Sequence, residues 1–232
     1  MNLKKLAILP AAFMLFLTGC GKQPQTAASL PDTEVANSQA YDGNLPENAF
    51  IISLYPEYAP ITCENFEKLV SKGFYDGLTF HRVYEGFMAQ GGDPDGTGAG
   101  GSPDTIKGEF KSNGVNNTLS HKRGIVSMAR TKVPDSASSQ FFICYTDCSA
   151  SLDGDYAAFG EVTEGMEVVD NFLKVERDYN GERKPTKPRT PIIIESAKMI
   201  DKDKDGHSRV LVQMKDFLAG AKGDYKSKAA GQ

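Results

Sequence analysis

In the stretch "FHRVYEGFMAQGGDP" (residues 80–94), Arg82 stands among aromatic residues, with Met88 and Gln90 a few positions on. Period-two alternation predicts a strand that sends Phe80, Arg82 and Tyr84 to one face and His81 and Val83 to the other. Glu85-Gly86 reads as a turn, and the strand after it shows Met88 and Gln90 on one face. In "SQFFICYT" (139–146), Gln140 and Phe142 likewise share a face. A surface that gathers Arg, Met, two Gln and Phe is mostly apolar, with a few polar groups able to orient a ligand. The equally weighted alternative is a core edge along which the arginine lays its aliphatic stem.

Other patterns invite a chemical reading and fail on context. "GTGAGG" (96–101) fits G-x-G-x-x-G through Gly96, Gly98 and Gly101. A dinucleotide loop follows a strand directly and opens a helix. Here turn-forming "DPD" precedes the glycines, and "SPDTIKGEF" after them is a poor helix start. These glycines read instead as a tight, backbone-exposed loop. There is no "GK[ST]" and no G-x-S-x-G nucleophile elbow. His81, His121 and His207 are isolated, without metal-ligand spacing. "DKDKDG" (201–206) matches the first half of a calcium loop, but Val212 falls where a bidentate Glu is required. Once Cys20 is set aside, Cys63, Cys144 and Cys148 form an odd set, and C-x3-C is not a redox C-x-x-C. They read as small buried thiols. Neither a metal nor a cofactor is expected.

The elements that must carry these side chains follow from the apolar pattern. The 232-residue chain is 40% hydrophobic and 24% charged, the composition of a globular protein with a packed core. Its net charge of −4 lacks the basic excess of a nucleic-acid binder. "MNLKK" and the apolar "LAILPAAFMLFL" (6–17) read as a signal peptide over residues 1–19. That segment runs into "LTGC", which resembles the bacterial lipobox, whose cysteine, here Cys20, carries the lipid. Residues 20–47 read as the lipidated cysteine and a flexible polar linker. The expected placement is therefore on the outer side of the cytoplasmic membrane, held by lipid.

A folded domain is expected over 48–200. Short strand-like runs lie at 49–55, 78–84, 87–91, 124–130, 140–146 and 156–162, and "TPIIIESAKMI" (190–200) reads as the last strand. Helices are expected over "PITCENFEKLVSKGFY", with Pro60 in the first turn, and over 164–175. Many short strands and two helices indicate a mainly β barrel or sandwich. Residues 201–232 read as a charged polar tail, with a short amphipathic helix over 210–220.

Several of these stretches, in order, resemble the cyclophilin family of peptidyl-prolyl cis/trans isomerases. They are "GFYDGLTFHRVYEGFMAQGGDPDGTGAGG", "GIVSMAR", "SQFFICYT", "LDGDYAAFGEV" and "EGMEVVD", and the resemblance spans residues 49 to 200. It implies a closed eight-stranded antiparallel β-barrel capped by two α-helices, with a peptide groove on its outer face. It places the catalytic arginine at Arg82 and the proline pocket at Phe87, Met88, Phe142 and Leu152, with Tyr156 at the rim. Peptide-backbone contacts fall on Gln90, Ala129, Arg130 and Gln140, and His81 is structural. The implied partners are proline-containing polypeptides, served by a monomer. The alternative is a holdase that grips proline segments without turnover.

Departures from the family pattern are specific. Ser151 stands where an aromatic residue, commonly Trp, is frequent, and the chain has no Trp, which counts against binding of cyclosporin-like macrocycles. Tyr156 stands where His is common, and Glu85 enters "YEGFM" in place of "IPGFM". The segment "TKVPDSASS" (131–139) is one residue longer than usual, with Ser138 in a typical Gly position. The N-terminal strand region is short, which leaves the closing edge of the barrel unassigned.

Overall fold

Apolar runs bounded by glycine turns set the architecture, seen in a computed structural model that describes residues 38–219. The signal-peptide reading, Cys20 and the first part of the expected linker lie outside the described residues. Strand β1 (Ala49–Leu54) is buried along its whole length, and Phe50, Ile52 and Leu54 enter the core. Helix α1 (Pro60–Ser71) starts on its proline and buries Cys63, Phe66, Leu69 and Val70. Its own N-cap, Ala59, makes no side-chain hydrogen bond. Glu109, 2% exposed, serves instead: its carboxylate accepts from the Ile61 N–H at 3.1 Å and the Thr62 N–H at 2.7 Å. A helix N-terminus with free N–H groups is thus capped from 47 residues away.

The remaining elements follow in short pieces. They are β2 (Thr79–Tyr84), β3 (Met88–Asp93), β4 (Ile125–Met128), β5 (Phe141–Cys144), the one-turn α2 (Ser149–Leu152) and β6 (Ala158–Glu164). Then come α3 (Met166–Asn171) with a 3-10 turn after it, the two-residue strands β7 (Arg177–Asp178) and β8 (Lys187–Pro188), β9 (Ile194–Ile200) and β10 (Arg209–Met214). Eight strands form one antiparallel sheet in the order β2-β3-β5-β4-β6-β1-β10-β9, and β7 pairs with β8 apart from it. The sheet curls around a core in which Phe66, Phe80, Phe141, Phe159 and Phe172 meet. Phe141 packs edge-on against Phe66 and Phe80 at centroid distances of 5.4 and 5.7 Å, a favourable aromatic geometry. The outer strands come together at one end: Thr79 bridges Ile193, and the Phe80 N–H donates to the Ile192 carbonyl at 2.9 Å.

The C-terminal expectation is overturned. Residues 201–208 are the turn of a hairpin, and 209–214 form a strand between β1 and β9, not a helix in a tail. The period of "RVLVQM" decides this: Val210, Val212 and Met214 are buried, and the residues between them are partly exposed. A repeat of two with β-branched residues suits a strand. The folded body therefore runs beyond residue 200, to Phe217 at 2% exposure, and β10 fills the edge that the short N-terminal region left open. The linker expectation over 20–47 also gives way at its end. The Gln39 N–H donates to the Met199 carbonyl at 3.0 Å, and the Tyr41 hydroxyl donates to Glu164 at 3.1 Å.

Candidate functional site

Strand register collects the chemistry-bearing side chains. Arg82 of β2 pairs with Gln90 of β3, and Gln90 pairs with Phe142 of β5, so one row crosses three strands. The next row sets Tyr84 against Met88 and Met88 against Cys144. Both rows face outward. Their apolar members, with Leu152 and Cys148, form a second cluster separate from the main core, and Phe87, Ala129 and Tyr156 pack against it.

The expected face assignment in β2 is corrected. Phe80 and Val83 both enter the core, while Arg82 and Tyr84 point out. The register slips between Phe80 and Arg82, leaving His81 as the extra residue of a bulge. A bulge breaks the alternation and re-aims the side chain after it. Strict alternation would have put Arg82 on the core side with Phe80. His81 is left with two buried ring nitrogens that have no partner among the described residues.

A cavity of about 180 Å³ is lined by Arg82, Phe87, Met88, Gln90, Ala129, Arg130, Phe142, Leu152 and Tyr156. The structure thus brings together every expected catalytic and peptide-contact residue except Gln140. That residue lines an adjoining cavity of about 510 Å³, which shares Gln90, Ala129 and Arg130 with the first. A hydrogen-bond chain ties the two: Gln90 Nε2 donates to Gln140 Oε1 at 2.8 Å, and Gln140 Nε2 to the Gly100 carbonyl at 2.7 Å.

The "GTGAGG" run walls the larger cavity through Gly98, Gly100 and Gly101. Buried Asp93 organises the loop, accepting from the backbone N–H groups of Asp95 at 2.9 Å and Thr97 at 3.0 Å. A Cβ on Gly100 would stand 2.1 Å from Asp93 Oδ1, and one on Gly101 would stand 2.3 Å from Ser138 Oγ. Close approach to side chains, not to a phosphate, is what demands glycine here.

Arg82 has five N–H groups to place. Nε donates to Glu182 Oε1 at 2.9 Å, and Nη2 donates to the same oxygen. Nη1 donates to Gln90 Oε1 at 3.2 Å and lies 3.8 Å from Met88 Sδ, a weak acceptor that a better one can displace. One Nη2 N–H has no acceptor among the described residues. The guanidinium is therefore held on two sides with donors to spare, above an apolar floor. Arg130 differs: its Nε donates to the Asp155 carbonyl at 2.8 Å, and its guanidinium lies over Phe110 and Tyr156. It acts as part of the wall.

Nothing in the sequence pattern pointed to Glu182. The Asn180-Gly181 pair is a turn signal that could have shown a hairpin there. That its third residue reaches Arg82, 100 positions earlier, is a fact of three-dimensional packing. Cys63, Cys144 and Cys148 are all buried and unpaired, and burial pushes the Cys63 thiol up to about 12. Asp203, Asp205 and His207 come together in the hairpin turn, where His207 and Asp203 are hydrogen-bonded to each other at 3.1 Å.

Fold and site together define a mainly β protein with an outward, largely apolar groove and an oriented guanidinium. The family profile "Cyclophilin type peptidyl-prolyl cis-trans isomerase/CLD" matches residues 42–199, and the chain belongs to that family of isomerases. It is 48% identical over 131 residues to peptidyl-prolyl cis-trans isomerase B of Bacillus subtilis, covering 56% of this chain and 85% of that protein. It is 41% identical over 157 residues to peptidyl-prolyl cis-trans isomerase A of Dickeya dadantii, covering 65% and 79%. A crystal structure of a Cryptosporidium parvum cyclophilin type isomerase, in the presence of the dipeptide Ala-Pro, superposes with a TM-score of 0.55 at 35% identity. That match covers 62% of this chain and 88% of the other.

Behind the pocket, buried His121 joins α2 to β4. Its Nδ1 lies 2.8 Å from Asp153 Oδ1, its Nε2 2.9 Å from Ser127 Oγ, and its ring stacks beside Phe142. Burial holds its imidazole below the ordinary 6.5 in spite of the Asp153 carboxylate, and burial lowers His81 as well. A histidine whose folded pKa lies below its unfolded one destabilises the fold once the unfolded chain can take the proton. Unfolding free energy is therefore expected to stay level from about pH 8 to about pH 6.5 and then to fall toward about pH 5. Carboxylates with lowered values, such as Asp93 and Asp153, add their loss only further down, below their ordinary 3.8. Chemical denaturation across this range checks the sign, and a level line below pH 6.5 contradicts it.

Proposed function

We propose that this isomerase accelerates X–Pro rotation without a covalent intermediate, through a hydrogen bond from Arg82 to the proline nitrogen at the twisted transition state. The carrying observation is the oriented guanidinium at the rim of the cavity formed by Phe87, Met88, Phe142, Leu152 and Tyr156. Amide resonance gives peptide rotation a barrier of ~18–20 kcal/mol. Twisting the bond breaks that resonance and leaves a basic lone pair on nitrogen. A donor fixed in place stabilises the twisted state more than either planar one. The apolar floor grips the proline ring while the acyl side turns, and Gln90, Gln140 and the backbone of Ala129 hold the peptide chain. That the related crystal structure was determined in the presence of the dipeptide Ala-Pro supports the choice of substrate. Magnetisation-exchange NMR on an Ala-Pro peptide, with wild type beside Arg82→Ala, tests the reading.

The same reading takes the curled sheet as a closed barrel, supported by the hydrogen bonds that join β2 to the residues before β9. It places the enzyme on the outer face of the cytoplasmic membrane, anchored by lipid on Cys20 and acting on polypeptides folding there. The basic start, apolar stretch and "LTGC" support that placement. Cells grown with a fatty-acid analogue are expected to label the wild-type chain and not Cys20→Ala. An unlabelled wild type refutes the anchor.

A further inference from the structure

The ion pair on Arg82 comes from a hairpin outside the main sheet. Strands β7 and β8 pair through Arg177 with Pro188 and Asp178 with Lys187. The hairpin is fixed to β2 and the turn after it at several points. The Val83 N–H donates to the Thr186 carbonyl at 2.8 Å, and Lys184 Nζ donates to the Glu85 carbonyl at 3.3 Å. The Thr186 N–H donates back to the Asp178 carbonyl at 2.9 Å, and Thr186 is fully buried. Glu182, next to the Gly181 turn, is thereby carried to the Nε and Nη2 side of Arg82, opposite Gln90.

We propose that Glu182 is a positioning residue for the isomerisation, holding the Arg82 guanidinium in the one orientation that leaves its spare N–H groups on the cavity. The proposal rests on the reading of Arg82 as the donor to the proline nitrogen. The side chains of the pair are 27% and 25% exposed, so the ion pair adds little to fold stability. Orientation is the larger matter. An arginine side chain at the surface has several rotatable bonds, and a reacting group displaced by about 1 Å can cost about 10²-fold in rate. With Glu182 present, the guanidinium plane is set from both sides. Without Glu182, Gln90 and the weak acceptor Met88 Sδ hold Nη1, and the rings of Tyr84 and Phe87 lie beneath the plane, but nothing holds the Nε edge against rotation. Burial by itself would raise the Glu182 carboxyl, but the Arg82 guanidinium outweighs it and holds the group below its ordinary value. Glu182 is therefore charged at neutral pH. The carboxylate also damps the positive charge that Arg82 presents to substrate. Orientation and damping have opposite signs in a rate measurement, so the direction of change separates them.

Turnover of an Ala-Pro peptide by the full chain is the test, with Glu182→Ala, Glu182→Gln, Arg82→Ala and the double variant compared. Glu182→Ala is expected to lower kcat about tenfold with KM changed less than about twofold, because the pocket that binds proline is untouched. Glu182→Gln keeps one acceptor oxygen and loses less. In the Arg82→Ala background, Glu182→Ala is expected to bring no further loss, and its melting temperature alone is expected to match wild type. An unchanged or raised kcat in Glu182→Ala overturns the proposal. So does an equal loss in both backgrounds, which would mean that the substitution acts through the hairpin and not through Arg82. Full activity in Arg82→Ala is a different result: it removes the reading of Arg82, and the positioning role with it.

Discussion

Arg82→Ala is expected to reduce kcat/KM for an X–Pro peptide by about 10²–10³-fold, the usual loss when one preorganised donor to developing charge is removed. The loss falls on kcat. Substrate affinity is expected to come mainly from the cavity floor of Phe87, Met88, Phe142, Leu152 and Tyr156, all of which the substitution leaves in place. Removing a group that acts only in the transition state lowers kcat and kcat/KM together and leaves KM alone. Arg82→Lys is expected to recover only a small part. Lysine has three donors on one point charge and lacks the planar fork. It cannot keep Glu182 and Gln90 on two edges while turning a third toward substrate. A variant that raised KM and kept kcat would show that Arg82 merely binds the peptide. Saturable peptide binding with wild-type rates no faster than Arg82→Ala would instead favour a holdase.

Much of the pocket was legible because a sheet turns sequence spacing into geometry. The β2–β3 hairpin, closed by a tight turn, sets Arg82 beside Gln90, whereas the pairing of Gln90 with Phe142 joins strands far apart in sequence. The family motifs supplied Leu152 and Tyr156, which no periodicity argument could bring to the same wall. Local patterns failed in four places, three of them for a physical cause. Alternation mis-assigned Phe80 because the bulge at His81 adds a residue, and a bulge has no sequence signature as regular as the strand it interrupts. Glu182 was invisible because its partner lies 100 residues away and a single Glu in a hairpin carries no signal. The cap of α1 by Glu109 was hidden for the same reason. The strand at 209–214 is the remaining failure, and it was avoidable. Val210, Val212 and Met214 alternate as an inward strand face does, although they follow the acidic "DKDKDG" of an exposed turn.

That strand bears on where the domain ends. The family profile stops at residue 199, and a chain ending at Ile200 would keep every site residue named above. Such a chain is nevertheless expected not to fold. β10 pairs with β1 over five positions and with β9 over six, so its loss exposes two strand edges in what is now the interior of the sheet. It also removes Val210, Val212, Met214 and Phe217 from the core, where each is at most 2% exposed. At about 1.5–3 kcal/mol for each fully buried side chain, the loss is about 6–12 kcal/mol. Net stabilities are about 5–15 kcal/mol, so the deletion removes most or all of what holds a domain of this size together. Circular dichroism and denaturant unfolding of the two chain lengths provide the measurement. A chain ending after Ala219 is expected to unfold cooperatively. The chain ending at Ile200 is expected to lack a cooperative transition and to have no isomerase activity, even though its cavity residues are intact. Val212→Asp in the full chain approaches the same result by a single change, since it places a charge without a partner on the inward face of a central strand. Cooperative unfolding and full turnover in the shorter chain would show instead that β10 is an appendage and that the sheet is complete without it.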